Sequence, residues 1–125
     1  MDQEEYLSLR TNRIREEADR IGSLRYADDM MIEIITLLDQ EELLPQVGRY
    51  YTFIYKPQTP RIEYDEYPLI ACTSIETWGF KGLNYHWGTW RNYTWGEVVG
   101  KLHIVYPPEV QYLRAIPYQK FQLNT

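Results

Sequence analysis

Cysteine occurs once in this chain, at Cys72, and histidine only twice. A lone thiol excludes an internal disulfide, and its setting in the apolar run PLIAC reads as a small buried hydrophobe rather than a reactive nucleophile. Zinc sites need at least three soft or nitrogen ligands in order, and Cys72, His86 and His103 form no recognisable clip. Neither the Walker pattern nor the dinucleotide fingerprint occurs, which argues against nucleotide hydrolysis. No metal and no cofactor is expected. No apolar run approaches the roughly 20 residues that span a bilayer, and no cationic leader opens the sequence. The expectation is a soluble protein made in a cytoplasm, without a membrane partner.

The 125 residues suffice for one domain without covalent or metal staples. The net charge of -5 is unevenly spread. Residues 1–50 hold twelve Asp and Glu against six Lys and Arg, whereas residues 51–125 hold six against seven. A charged arm, residues 1–46, thus precedes a nearly neutral, aromatic-rich body, residues 47–125.

In the arm, Leu7, Ile14, Ala18 and Ile21 recur at helical spacing, with Gly22 as a C-cap. A second helix is predicted to start at Asp28 or Asp29 and to run until Pro45 stops it. Its stripe of Met30, Ile34, Leu37 and Leu38 is widened by Met31 and Ile35. Such a stripe packs on its own body or docks on a neighbouring subunit. The acidic excess speaks against nucleic acid at the arm.

The body opens with RYYTFIYKP, a strand by its aromatic and β-branched content. QTPRIEYDEYP reads as a polar loop and PLIACTSIE as a buried strand. All four tryptophans fall in WGFKGLNYHWGTWRNYTW, residues 78–95. Period two there puts Leu83, Tyr85 and Trp87 on one face of a strand and Phe80, Gly82, Asn84 and His86 on the other, with GTWRNYTW as a loop. The spacing of Thr94 and Glu97 suits a helix start, and Val98, Val99, Leu102, Val105 and Tyr106 fit helical spacing. Gly96 and Gly100 weaken that assignment, and KLHIVY fits a strand equally well. PEVQYLRAI is predicted as a short helix and YQKFQL as a last strand closing the sheet.

The aromatic stretch and the acidic segment IEYDEY before it admit five readings between them. His86 is a general base only if a carboxylate such as Asp65 or Glu76 orients it. A carboxylate metal site from Glu63, Asp65 and Glu66 competes with a solvated turn, the simpler account of IEYDEY. Tyr85, Trp87, Lys81 and Arg91 would form a base-stacking face, but cations are few. Trp90, Arg91, Tyr93 and Trp95 suit a protein contact, because such residues bury large area and keep a polar handle. The remaining possibility is that every ring is core.

YYTFIYKPQTPRIEYDEYPLI, WGFKGLNYHWG, RNYTW and IPYQKFQLN resemble small virion-associated or uncharacterised proteins of contractile-tailed cyanobacterial phages, over residues 48–125. The resemblance implies a non-enzymatic structural component of the baseplate, neck or tail, located in the virion and assembled in the host cytoplasm. Its partners would be other phage virion proteins, with homo-oligomers or nucleic acid as further candidates. The expected fold is α+β: an N-terminal helical pair, a small curved antiparallel sheet resembling an SH3-like partial barrel, and short C-terminal helices. Trp90, Arg91, Tyr93 and Trp95, with Met31 and Ile35 of the arm, are the candidate contact residues.

Overall fold

The computed structural model describes residues 2–58 and 62–124. The chain is α+β. Helices α1 (Gln3–Gly22) and α2 (Ala27–Leu37) lead into strands β1 (Glu41–Glu42), β2 (Tyr50–Tyr55), β3 (Ile62–Asp65), β4 (Leu69–Ile75), β5 (Gly79–Asn84) and β6 (Thr89–Thr94). A 3-10 turn (Trp95–Glu97), β7 (Val98–Val105), helix α3 (Pro107–Ala115) and β8 (Phe121–Asn124) complete the order. Six strands form one antiparallel sheet in the order β1-β7-β2-β4-β5-β6, and β3 pairs with β8 in a separate two-stranded ribbon.

Side-chain alternation gives this sheet two buried faces. On the concave face Tyr51, Phe53, Tyr55, Ile70, Cys72, Phe80, Tyr93, Leu102 and Ile104 form one cluster. The sheet curls far enough that the Tyr55 and Tyr93 rings, from strands separated by β4 and β5, lie 5.0 Å apart, edge to face. The opposite face contributes Leu69 and Val105 to a second cluster with Ile14, Ile21, Met30, Met31, Ile34 and Leu38 of the helical pair.

The arm is therefore folded onto the body rather than extended from it. Arg10, 6 % exposed, fastens α1 to α3. Its Nη2 donates to Glu109 Oε1 at 2.9 Å and to the Ile104 carbonyl at 2.5 Å. Its guanidinium lies 4.6 Å from the centre of the Tyr106 ring. Glu109, wholly buried, also accepts the Tyr106 N–H at 2.9 Å, so one carboxylate caps α3 and holds α1. The division expected at residue 46 does not divide the core.

Several local expectations are corrected. Gly22 is the last residue of α1, and the cap is Ser23 in a right-handed conformation, its Oγ donating to the Arg20 carbonyl at 2.7 Å. Helix α2 ends at Leu37, well before Pro45, because Leu38 turns extended and is buried, and the chain is drawn beside β7 as β1. Of the two readings open for residues 98–105 the strand holds, because pairing with β2 and β1 outweighs the helical spacing of the valines. Gly100 has φ +77°, a conformation that suits glycine. The last strand closes no sheet; it makes a ribbon with IEYD, the segment read as a polar loop. Within that ribbon Asp65 is 2 % exposed and Glu66 follows at 7 %.

Candidate interaction surface

The β5–β6 hairpin is built by one side chain and one glycine. Asn84 Oδ1 accepts the N–H groups of His86 (3.0 Å) and Trp87 (3.1 Å). The Asn84 carbonyl accepts the Gly88 N–H at 2.7 Å, and Gly88 takes φ +70° to return the chain. GTWRNYTW is thus a paired strand, and the expected long strand through Trp87 stops at Asn84. Alternation within the pair then separates the four candidate aromatic-loop residues.

Tyr93 points inward and is 2 % exposed, which removes it from the candidate contact surface. It stacks on Phe80 (5.4 Å, 28°) and meets Phe53 edge-on at 5.3 Å. Trp95, half-buried, packs on Phe80 at 5.4 Å and donates its indole N–H to the Thr77 carbonyl at 2.9 Å. Arg91 lies with its guanidinium 5.1 Å from the centre of the Trp87 ring. Trp90 points outward and is 65 % exposed. Met31, 1 % exposed, is core and is likewise removed; Ile35 packs partly buried against the same cluster. The physical reason is common to both corrections: the curled sheet encloses more ring area, and the helical pair docks more completely, than composition conveys.

The catalytic reading depended on an oriented histidine. His86 packs edge-to-face on Tyr118 at 4.7 Å. Burial pushes its pKa down to about 4, against the opposing pull of the Leu113 and Ile116 backbone. Asp65 serves other groups: it accepts the Tyr67 N–H (3.0 Å) and Asn84 Nδ2 (3.3 Å). Burial raises its pKa, with those hydrogen bonds opposing. Among the described residues no three His, Cys, Asp or Glu side chains converge as a metal-binding group. No helix among them is long and apolar enough to cross a membrane.

Beside β6 runs an open groove of about 590 Å³, with Tyr55 and Tyr93 at its floor and Pro57, Tyr64 and Glu97 among its walls. The Glu97 carboxylate accepts from Tyr55 Oη and Thr94 Oγ1, which fixes the 3-10 turn at one end. No family model, curated protein or solved structure matches this chain. The surface must be read from its own geometry.

Two features escaped the sequence reading. Trp78 is 41 % exposed at the turn before β5. Leu43, Leu44 and Val47 are 76, 66 and 60 % exposed in the segment after β1. The apolar pair directly ahead of Pro45 was the available signal for the second, but it was absorbed into the predicted helix.

Proposed function

We propose that this chain is a non-enzymatic structural subunit of a tailed phage particle, joined to neighbouring virion proteins at the β5–β6 hairpin with Trp90 as anchor. The observation that carries the reading is the 65 % exposure of Trp90 on a regular strand whose neighbour Tyr93 is buried in the core. An indole held out by a rigid hairpin offers a large area with little side-chain entropy to lose on contact. The resemblance of residues 48–125 to phage virion proteins supplies the kind of assembly.

Nucleic acid is the less favoured partner. Lys81 pairs with Asn92 and Gly82 with Arg91, so the two cations of the hairpin lie on opposite faces of it. Tyr85 is engaged by Tyr50 at 5.8 Å and by Arg114 at 6.0 Å. The net charge of -5 repels phosphate.

The test is incorporation. Particles assembled with Trp90→Ala should lack the protein in a mass-spectrometric inventory while the purified variant keeps its melting temperature. Wild-type incorporation of that variant would sink the reading. Binding of DNA in a gel shift that weakens steeply with salt would favour the nucleic-acid role.

A further inference from the structure

The β3–β8 ribbon is fastened to the fold at one end. Among the described residues neither of its strands pairs with any other strand, and a two-stranded ribbon is only marginally stable by itself. Its root lies between two anchors, Tyr67 after β3 and Tyr118 before β8, both buried in the cluster beneath the helices. Tyr118 Oη lies 3.0 Å from Thr52 Oγ1. Between the anchors the Glu66 N–H donates to the Lys120 carbonyl at 2.7 Å, and the Glu66 carbonyl accepts the Tyr55 N–H at 2.8 Å. The first of these bonds sets the phase of the ladder, so Tyr64 and Gln122 form a hydrogen-bonded pair.

A knot of charge closes the root. Lys120 Nζ lies 3.3 and 3.4 Å from the two carboxylate oxygens of Asp28, in the first turn of α2, and 3.4 Å from Glu66 Oε2. Lys56 Nζ lies 3.9 Å from Glu66 Oε1, and Tyr67 Oη donates to Asp28.

Beyond the root the ribbon meets the concave face. Tyr64 packs partly buried against that cluster. Asp65, 2 % exposed, accepts Asn84 Nδ2, while Asn84 Oδ1 holds the His86 and Trp87 N–H groups of the β5–β6 turn. One side-chain amide thus joins the ribbon to the turn that presents Trp90. The closed position sets an apolar contact and an ion cluster against a carboxyl group deprived of water, which is the balance a movable element needs.

We propose that the β3–β8 ribbon is a lid: it lifts as one unit from the concave face between Tyr67 and Tyr118 while the six-stranded sheet stays folded, the Lys120 ion cluster is its catch, and its closure steadies the β5–β6 turn through Asp65 and Asn84. The consequence for partners rests on the hairpin being the contact surface; the motion does not.

Native-state hydrogen exchange in rising urea tests it. The Cys72 N–H bond to the Arg49 carbonyl at 2.9 Å puts Tyr51 and Ile70 of the central strands in a hydrogen-bonded pair, which serves as the reference. Tyr64 and Gln122 should share one protection factor, about tenfold or more below that of Tyr51 and Ile70, with a shallower dependence on urea. Lys120→Met should speed exchange at Tyr64, Gln122 and Tyr55 by about fivefold, speed His86 and Trp87 as well, and leave Tyr51 and Ile70 unchanged. Asp65→Ala cuts the link without touching the catch and should speed His86 and Trp87. If a variant does not fold, exchange in the unmodified chain decides alone. Ribbon amides that exchange only together with Tyr51 and Ile70, unlike protection of Tyr64 and Gln122, or a Lys120→Met effect spread evenly over the sheet overturns the lid. His86 and Trp87 unmoved by both variants overturns the coupling to the hairpin. If the exchange results hold and particles made with Trp90→Ala still contain the protein, the contact role falls and the lid survives.

Discussion

Replacing Arg10 by methionine tests whether the helical arm is an integral part of the core. Arg10→Met retains most of the aliphatic stem but removes the cation that faces Glu109, whose side chain has no exposure at all. Breaking a buried ion pair by deleting one partner costs about 3–5 kcal/mol, because the surviving charge is left without compensation. The second contact, to Asp39 at 3.2 Å, involves a carboxylate that is 54 % exposed and adds about 1 kcal/mol at most. Unfolding entropy near 2.1 cal/mol/K per residue gives roughly 0.26 kcal/mol/K for a chain of this length, or about 4 °C per kcal/mol. The expected fall in melting temperature is therefore about 12–20 °C. Circular dichroism on heating and in urea measures it, and Glu109→Gln added to Arg10→Met should recover part of the loss. Hydrogen exchange then tells whether α1 and α3 loosen ahead of β5. A cost below about 1 kcal/mol for the single variant would refute the reasoning, since it would mean that water reaches Glu109 and that α1 is not fastened there.

Three further expectations are separable. A Cβ at Gly79 would lie 1.9 Å from the Tyr93 carbonyl oxygen, whereas at Gly96 it meets nothing within 4 Å; Gly79→Ala should cost about 3 kcal/mol or more by urea unfolding and Gly96→Ala nearly nothing. His86 is held neutral by burial, its pKa near 4 against an unfolded value of about 6.5, so its contribution is complete above pH 6.5 and is lost as pH falls toward 4. Urea midpoints should drop over that window by up to about 3 kcal/mol in stability, and His86→Phe should flatten the slope. Burial raises the Cys72 thiol pKa, so alkylation at pH 8 should proceed no faster than unfolding exposes it; rapid labelling of the native chain would contradict its place in the core.

The sequence was most legible where one local signal agreed with the packing. RYYTFIYKP is a strand because its aromatic and β-branched residues serve two buried faces, PLIACTSIE is one whose first half, Leu69, Ile70 and Cys72, is buried, and PEVQYLRAI is a helix with prolines at its start. It was least legible where partners distant in the chain decide. IEYD has the composition of a turn and becomes a strand only because β8 lies beside it. Residues 98–105 carry a helical spacing of apolar side chains, yet β2 and β1 bond them from both sides. Of the contact residues, Trp90 was recoverable from period two once the hairpin turn at Asn84–Gly88 is recognised, and Tyr93 would then have been assigned inward. Met31 could not be resolved from Ile35 by spacing, because the width of the docking face depends on how Leu69, Val105 and Leu113 fill the far side.

The junction between Arg10 and Glu109 joins residues 99 positions apart. During synthesis the first helix leaves the ribosome long before the acid that receives it, and Met30, Met31 and Ile34 emerge without the strands they will cover. The helical pair must wait, apolar side open, until the strands through β7 and helix α3 have followed it. Docking of the helical pair is consequently a late step in folding, and the waiting interval is when a chaperone has most to offer it.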